Sequence, residues 1–112
     1  MILVTGGTDK NLDFSPLAKA ITTAEIDLEI VLLSGTGSDK LIAFLKEAGI
    51  SCHGPFDNID SAAQTALELG HKTAAVSKSG VSVVLSPGCT SFGMFTNEFD
   101  RGRKWKEAVC RL

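Results

Sequence analysis

Three apolar runs and a shorter fourth, each followed by a turn and then by apolar residues at helical spacing, predict an α/β fold. The predicted architecture has three layers and is Rossmann-like: an open, mostly parallel sheet with helices on both faces. Strands that read as unbroken apolar runs are buried on both sides. A repeated strand-helix-strand order makes each crossover right-handed and lays its helix on the sheet. In such sheets ligands collect beyond the carboxyl ends of the strands, and the turns that hold glycines and small hydroxyl residues here fall on that edge.

The first strand, residues 2–5, ends at Gly6-Gly7, and a polar loop follows to Phe14. Ser15-Pro16 sets a hydroxyl cap before a proline at the first helical position. Leu17, Ala20 and Ile21 continue at helical spacing, so a helix is predicted over 16–24. Residues 28–33 form the second strand and stop at Ser34-Gly35-Thr36-Gly37. Ser38 or Asp39 then caps a helix with Leu41, Ile42, Phe44, Leu45 and Ala48 inward, and Gly49 stands where a left-handed C-terminal cap belongs.

A short third strand is predicted over 50–53, closed by Gly54-Pro55. The segment from Asn58 to Ser61 offers caps for a helix with Ala63, Ala66, Leu67 and Ala74 on one face. Its continuation through 73–76 is preferred to a strand there, although Gly70 weakens the middle by about 1 kcal/mol relative to alanine. After Ser79-Gly80, residues 81–85 make the last strand. A closing helix is predicted over 91–109, with Gly102 its weak point and Phe92, Phe95, Phe99, Trp105 and Val109 its buried stripe.

At 112 residues the chain is a single domain, able to bury roughly two thirds of its unfolded surface. Hydrophobic content of 44%, charged content of 21% and a net charge of -2 describe an ordinary soluble globular protein and argue against nucleic-acid partners. The start Met1-Ile-Leu-Val-Thr-Gly has no basic flank and turns after few apolar residues. Neither a signal peptide nor a membrane span is therefore expected, and the expected location is cytoplasmic. Cys52, Cys89 and Cys110 are an odd, widely spaced set, read as reduced thiols, and Cys52-His53 has no second pair with which to hold a metal.

The segment from Val81 to Gly102 carries most of the chemistry. An apolar strand stops at Ser86-Pro87-Gly88, Thr90 and Ser91 follow, and a helix is predicted to begin there. Backbone N–H groups in a first helical turn lack partners and the helix dipole is positive, so this junction reads as an anion seat. Lys10, in the loop after the first strand, is placed to pair with an incoming carboxylate, whereas Asp9 or Asp13 caps a turn. Gly35-Thr-Gly-Ser-Asp-Lys40 has the wrong spacing for either glycine-rich nucleotide fingerprint and reads as a plain strand-to-helix turn. Cys89 reads as small-residue packing, and Arg101 as a residue that pairs with a carboxylate or a helix C-terminus.

Gly6-Gly7, Lys10 and Asp13-Phe14, together with Ser86-Pro87, Cys89, Ser91, Phe95 and Arg101-Gly102, resemble the C-terminal domain of the Mur ligases, most closely the member that adds D-glutamate. The resemblance runs from Ile2 to the last helix. It implies an ATP-dependent amide-bond ligase acting in peptidoglycan synthesis, whose C-terminal domain binds D-glutamate and closes on the ATP domain. Lys10, Ser91 and the backbone of Phe92 match the substrate-binding positions; catalytic, cofactor-binding and metal-binding residues are not expected in this segment. ATP, magnesium and UDP-N-acetylmuramoyl-L-alanine are implied for the full-length enzyme through domains outside this chain. The chain is expected to lack the family domain's opening strand and helix and to be inactive alone. Gly93 and Glu98 depart from the family pattern, which commonly has an aspartate and an aromatic residue there. A sister ligase, such as folylpolyglutamate synthase, and a free-standing module for small acids are the alternatives.

Overall fold

The computed structural model describes residues 1–91 and 93–112. Among them, strands β1 (Ile2–Gly6), β2 (Glu29–Leu33), β3 (His53–Phe56) and β4 (Val83–Leu85) alternate with helices α1 (Ser15–Thr23), α2 (Thr36–Glu47), α3 (Ile59–Val76) and α4 (Glu98–Cys110). The sheet is parallel throughout, as predicted, and its order is β3-β2-β1-β4. The chain therefore winds outward from β1 through β2 to β3, then returns across the sheet to place β4 on the far side of β1.

Side-chain alternation along the strands divides the core into two layers. Ile30 and Leu32 face one side with Phe14 and Ile21 around α1 and Leu41 and Leu45 of α2. Ile2, Val4, Val31 and Leu33 face the other, against Ile59, Ala62, Ala63 and Ala66 of α3 and Ala108 of α4. Each fully buried leucine or isoleucine adds about 1.5–3 kcal/mol relative to an exposed one. The alanine face of α3 lets this helix lie close to the sheet, and Gly70 extends that face: a methyl group there would meet Val83 Cγ2 at 3.3 Å. Leu67 is only half-buried, and Ala74 is exposed. The helix does continue through Val76, and Asn58 caps it by accepting the Ser61 N–H at 2.8 Å.

Four local expectations are corrected by the structure. The third strand lies at His53–Phe56, so Gly54 and Pro55 are inside it; β3 is an edge strand, where a proline's missing donor is tolerated. Ser15 is the first residue of α1 instead of its cap, and the Asp13 carboxylate accepts its N–H at 2.9 Å. Ser38 does not cap α2 but lies within it, fully buried. The closing helix begins at Glu98, because Asn97 accepts the Asp100 N–H at 2.8 Å while the Asp100 carboxylate accepts the Thr96 N–H at 3.0 Å. That pair fixes the helix start.

The apolar stripe moves with the start of α4. Arg101, Trp105 and Ala108, four and three residues apart, share the face turned toward the core. Phe99 is off that face and 79% exposed, Val109 is partly exposed, and the helix passes Gly102 without a break.

Candidate anion-binding crevice

Reversal of winding between β1 and β4 puts a crevice beyond the carboxyl ends of these two strands, the place where open α/β sheets hold ligands. The loops after both strands are laced together over it. Gly6 N–H donates to the Pro87 carbonyl at 2.9 Å, and the Thr5 hydroxyl donates to the same oxygen at 2.9 Å. Thr8 and Thr90 then form an isolated antiparallel bridge, in which the Thr90 N–H reaches the Thr8 carbonyl at 3.0 Å. Gly7 makes this approach possible: its φ is +135°, and a Cβ there would lie 2.8 Å from the Thr90 carbonyl oxygen.

The opposite side of the β1 loop is tied to α2. Gly37 and Ser38, in the first turn of α2, donate their N–H groups to the Gly7 carbonyl at 2.9 and 3.3 Å. Ser38 Oγ accepts the Gly7 N–H at 3.0 Å and donates to the Leu33 carbonyl. The Asp9 N–H donates to Thr36 Oγ1 at 3.0 Å, and the Asp9 carboxylate pairs with Lys40, which holds it below the usual carboxylate range. A backbone carbonyl thus already sits where an anion would bind at α2. Gly35-Thr-Gly-Ser is a docking surface for the neighbouring loop, consistent with its reading as a plain turn.

Lys10 emerges from this fastened loop on the ligand edge, exposed and outside the cleft wall. Ser91 is buried and lines a narrow cleft of about 10 Å³, room for about one water molecule, with Gly6, Gly7, Thr90, Phe95 and Arg101. This is below the 300–1,000 Å³ of common small-molecule pockets. Phe92 lies outside the described residues. Ser91 is not at a helix N-terminus: its carbonyl accepts the Phe95 N–H at 3.0 Å in an isolated turn, separated from α4 by 96 and 97. Positive charge at this edge accordingly comes from side chains. Arg101 Nη1 donates to the Cys89 carbonyl at 2.9 Å. Burial, reinforced by Asp9, pushes the Cys89 thiol up, and the charges of Arg101 and Lys10 oppose the rise.

Glu98 and Phe99 stand outside this cleft. Glu98 is exposed at the first position of α4, a favourable place for a carboxylate beside the helix dipole. The five hydroxyl residues that fasten the loops, Thr5, Thr8, Thr36, Ser38 and Thr90, were missed as functional supports by sequence reasoning. Their signal was present as small hydroxyl residues next to glycines in loops on one edge, a pattern that also describes ordinary turns.

Curated proteins named "UDP-N-acetylmuramoylalanine--D-glutamate ligase" match this chain almost end to end. The protein from Treponema pallidum (strain Nichols) is 36% identical over 109 residues, covering 97% of this chain and 19% of its own length. That from Roseiflexus sp. (strain RS-1) is 38% identical over 111 residues, 97% of this chain and 22% of the relative. This chain is a D-glutamate-ligase-like domain. A third relative, from Borreliella afzelii (strain PKo), is 37% identical over 110 residues. The chain spans about a fifth of the length of these D-glutamate ligases. No family model matches it.

The residues that carry the resemblance to the D-glutamate ligases, far apart in the chain, meet at one edge. Gly6, Gly7, Ser91 and Arg101 line the cleft, Cys89 lies against Gly7, and Phe14 is buried in the α1/α2 layer of the core. Among the described residues no group of three or more His, Cys, Asp or Glu side chains could hold a metal, and no helix is long and apolar enough to cross a membrane.

Proposed function

We propose that this domain binds D-glutamate in the crevice between β1 and β4, as the amino-acid-holding part of a ligase that joins it to UDP-N-acetylmuramoyl-L-alanine. The observation that carries the reading is the lacing of the Lys10 loop to the Ser91 loop at the sheet's reversal point, in a chain related to ligases named for D-glutamate. Lys10 supplies an ammonium for one carboxylate of the amino acid. Ser91 offers a hydroxyl and, with the backbone at Phe92, holds the other. Restraint of both loops by the interior of the fold aligns the amine for attack on an activated carboxyl group.

The first amides of α2, after the turn most like a phosphate loop, are filled by the Gly7 carbonyl. Nucleotide chemistry in this reading belongs to the remaining length of the ligase. The chain then acts by carrying the amino acid and closing on the ATP domain, and alone it catalyses nothing.

Titration of the chain with D-glutamate, followed by amide NMR shifts, tests the site. Perturbations are expected at Gly7, Lys10 and Ser91, with L-glutamate as the comparison. Replacing Lys10 or Ser91 by alanine should weaken D-glutamate about tenfold or more, since a hydrogen bond to a charged group contributes about 1.5–3 kcal/mol. Equal response of wild type and both variants would remove these residues from the site.

A further inference from the structure

We infer that Arg101 is a positioning residue: its guanidinium holds the Cys89 carbonyl and so sets the loop that carries Ser91 in the crevice. This inference rests on reading the crevice as the D-glutamate site, and adds to it the residue that keeps one wall in place.

Three consecutive loop residues are each held by a different part of the molecule. Arg101, from α4, donates to the Cys89 carbonyl at 2.9 Å. Thr90 is held by Thr8 of the β1 loop, and the Ser91 carbonyl accepts the Phe95 N–H from the turn that leads to α4. Gly88 and Gly93, with φ of +65° and +95°, flank the held segment. Loss of one tie therefore leaves the segment between two flexible joints.

Arg101 is itself well anchored. It shares a helix face with Trp105, which packs on the α3/α4 core layer, and Ala108, which is 2% exposed. Its neighbours on α4 are otherwise engaged: Asp100 takes both Arg103 and Lys104. A planar guanidinium can hold one carbonyl while presenting further donors in a fixed fork, which an ammonium cannot do. Arg101 therefore orders the loop and keeps a positive charge on the cleft wall opposite the Lys10 loop.

The test compares wild type with Arg101→Ala and Arg101→Lys by amide hydrogen exchange and by D-glutamate titration of the 112-residue chain. In Arg101→Ala, exchange at Thr90 and Phe95 should accelerate at least about tenfold while Val31 in β2 changes little, and D-glutamate should weaken about tenfold, the scale of one charge-assisted hydrogen bond. Arg101→Lys should recover part of both. Exchange at Thr90 and Phe95 that is unchanged, or that rises only in step with Val31, overturns the inference. Wild type that takes up no D-glutamate overturns the site reading alone, because the exchange measurement still decides what Arg101 does.

Discussion

The turns after β2 and after β4 share one edge of the sheet and are similar in content, glycines beside small hydroxyl residues, but differ in what fills them. After β2 the chain enters α2 within two residues, through glycines and small hydroxyl residues whose spacing fits neither nucleotide fingerprint. That helix start is closed, because the Gly7 carbonyl accepts from Gly37 and Ser38. Between the end of β4 at Leu85 and the start of α4 at Glu98 the chain is longer, and Thr90, Ser91, Met94 and Phe95 from it line the cleft. Glycine at a strand end permits close approach, but the approaching group can be another loop of the same protein.

The comparison breaks most sharply at Gly35. Its φ is +152°, and a side chain there would run into the Gly7 carbonyl, so Gly35→Ala should lower stability by about 3 kcal/mol or more in urea unfolding. A smaller loss would mean that the β1 loop and α2 are less tightly joined than described. Asn97→Ala removes the cap that sets where the β4 path ends and should lower stability by about 1 kcal/mol; an unchanged midpoint would assign the start of α4 to packing alone.

A third measurement uses pH on the same cap. The Asp100 carboxyl is held down to about 2, chiefly by the Thr96 N–H and then by Arg103 and Lys104, from an ordinary value near 3.8. A carboxyl lowered by folding stabilises the folded state fully above its unfolded value, and that contribution is lost as pH falls from about 4 toward 2. Asp100→Asn should flatten this acid limb without altering the profile near neutrality. An acid limb identical in the variant would place the responsible carboxylate elsewhere.

Much of the fold was legible because it follows from local rules. Unbroken apolar runs at β1 and β2, Asn58 ahead of α3 and Gly49 after α2 each fix a strand, a start or a stop from a few neighbouring residues. The start of α4 was misread because Phe92, Phe95 and Phe99 imitate a helical stripe. The decisive signal was Asn97 with Asp100, a pair of polar residues inside an apparently continuous pattern. The β3 position was misread because Gly54-Pro55 usually ends a strand, and only an edge location tolerates it.

At the crevice, residue order was enough to bring Lys10 and Ser91 to one edge, since both follow strand ends and parallel strands place all their carboxyl ends together. Tertiary structure alone decided that β4 lies beside β1, that Thr8 and Thr90 lace the two loops, and that Arg101 meets the Cys89 carbonyl. Those outcomes join residues far apart in the chain. Local propensity does not encode them; they arise when both apolar faces of the sheet must be covered at once.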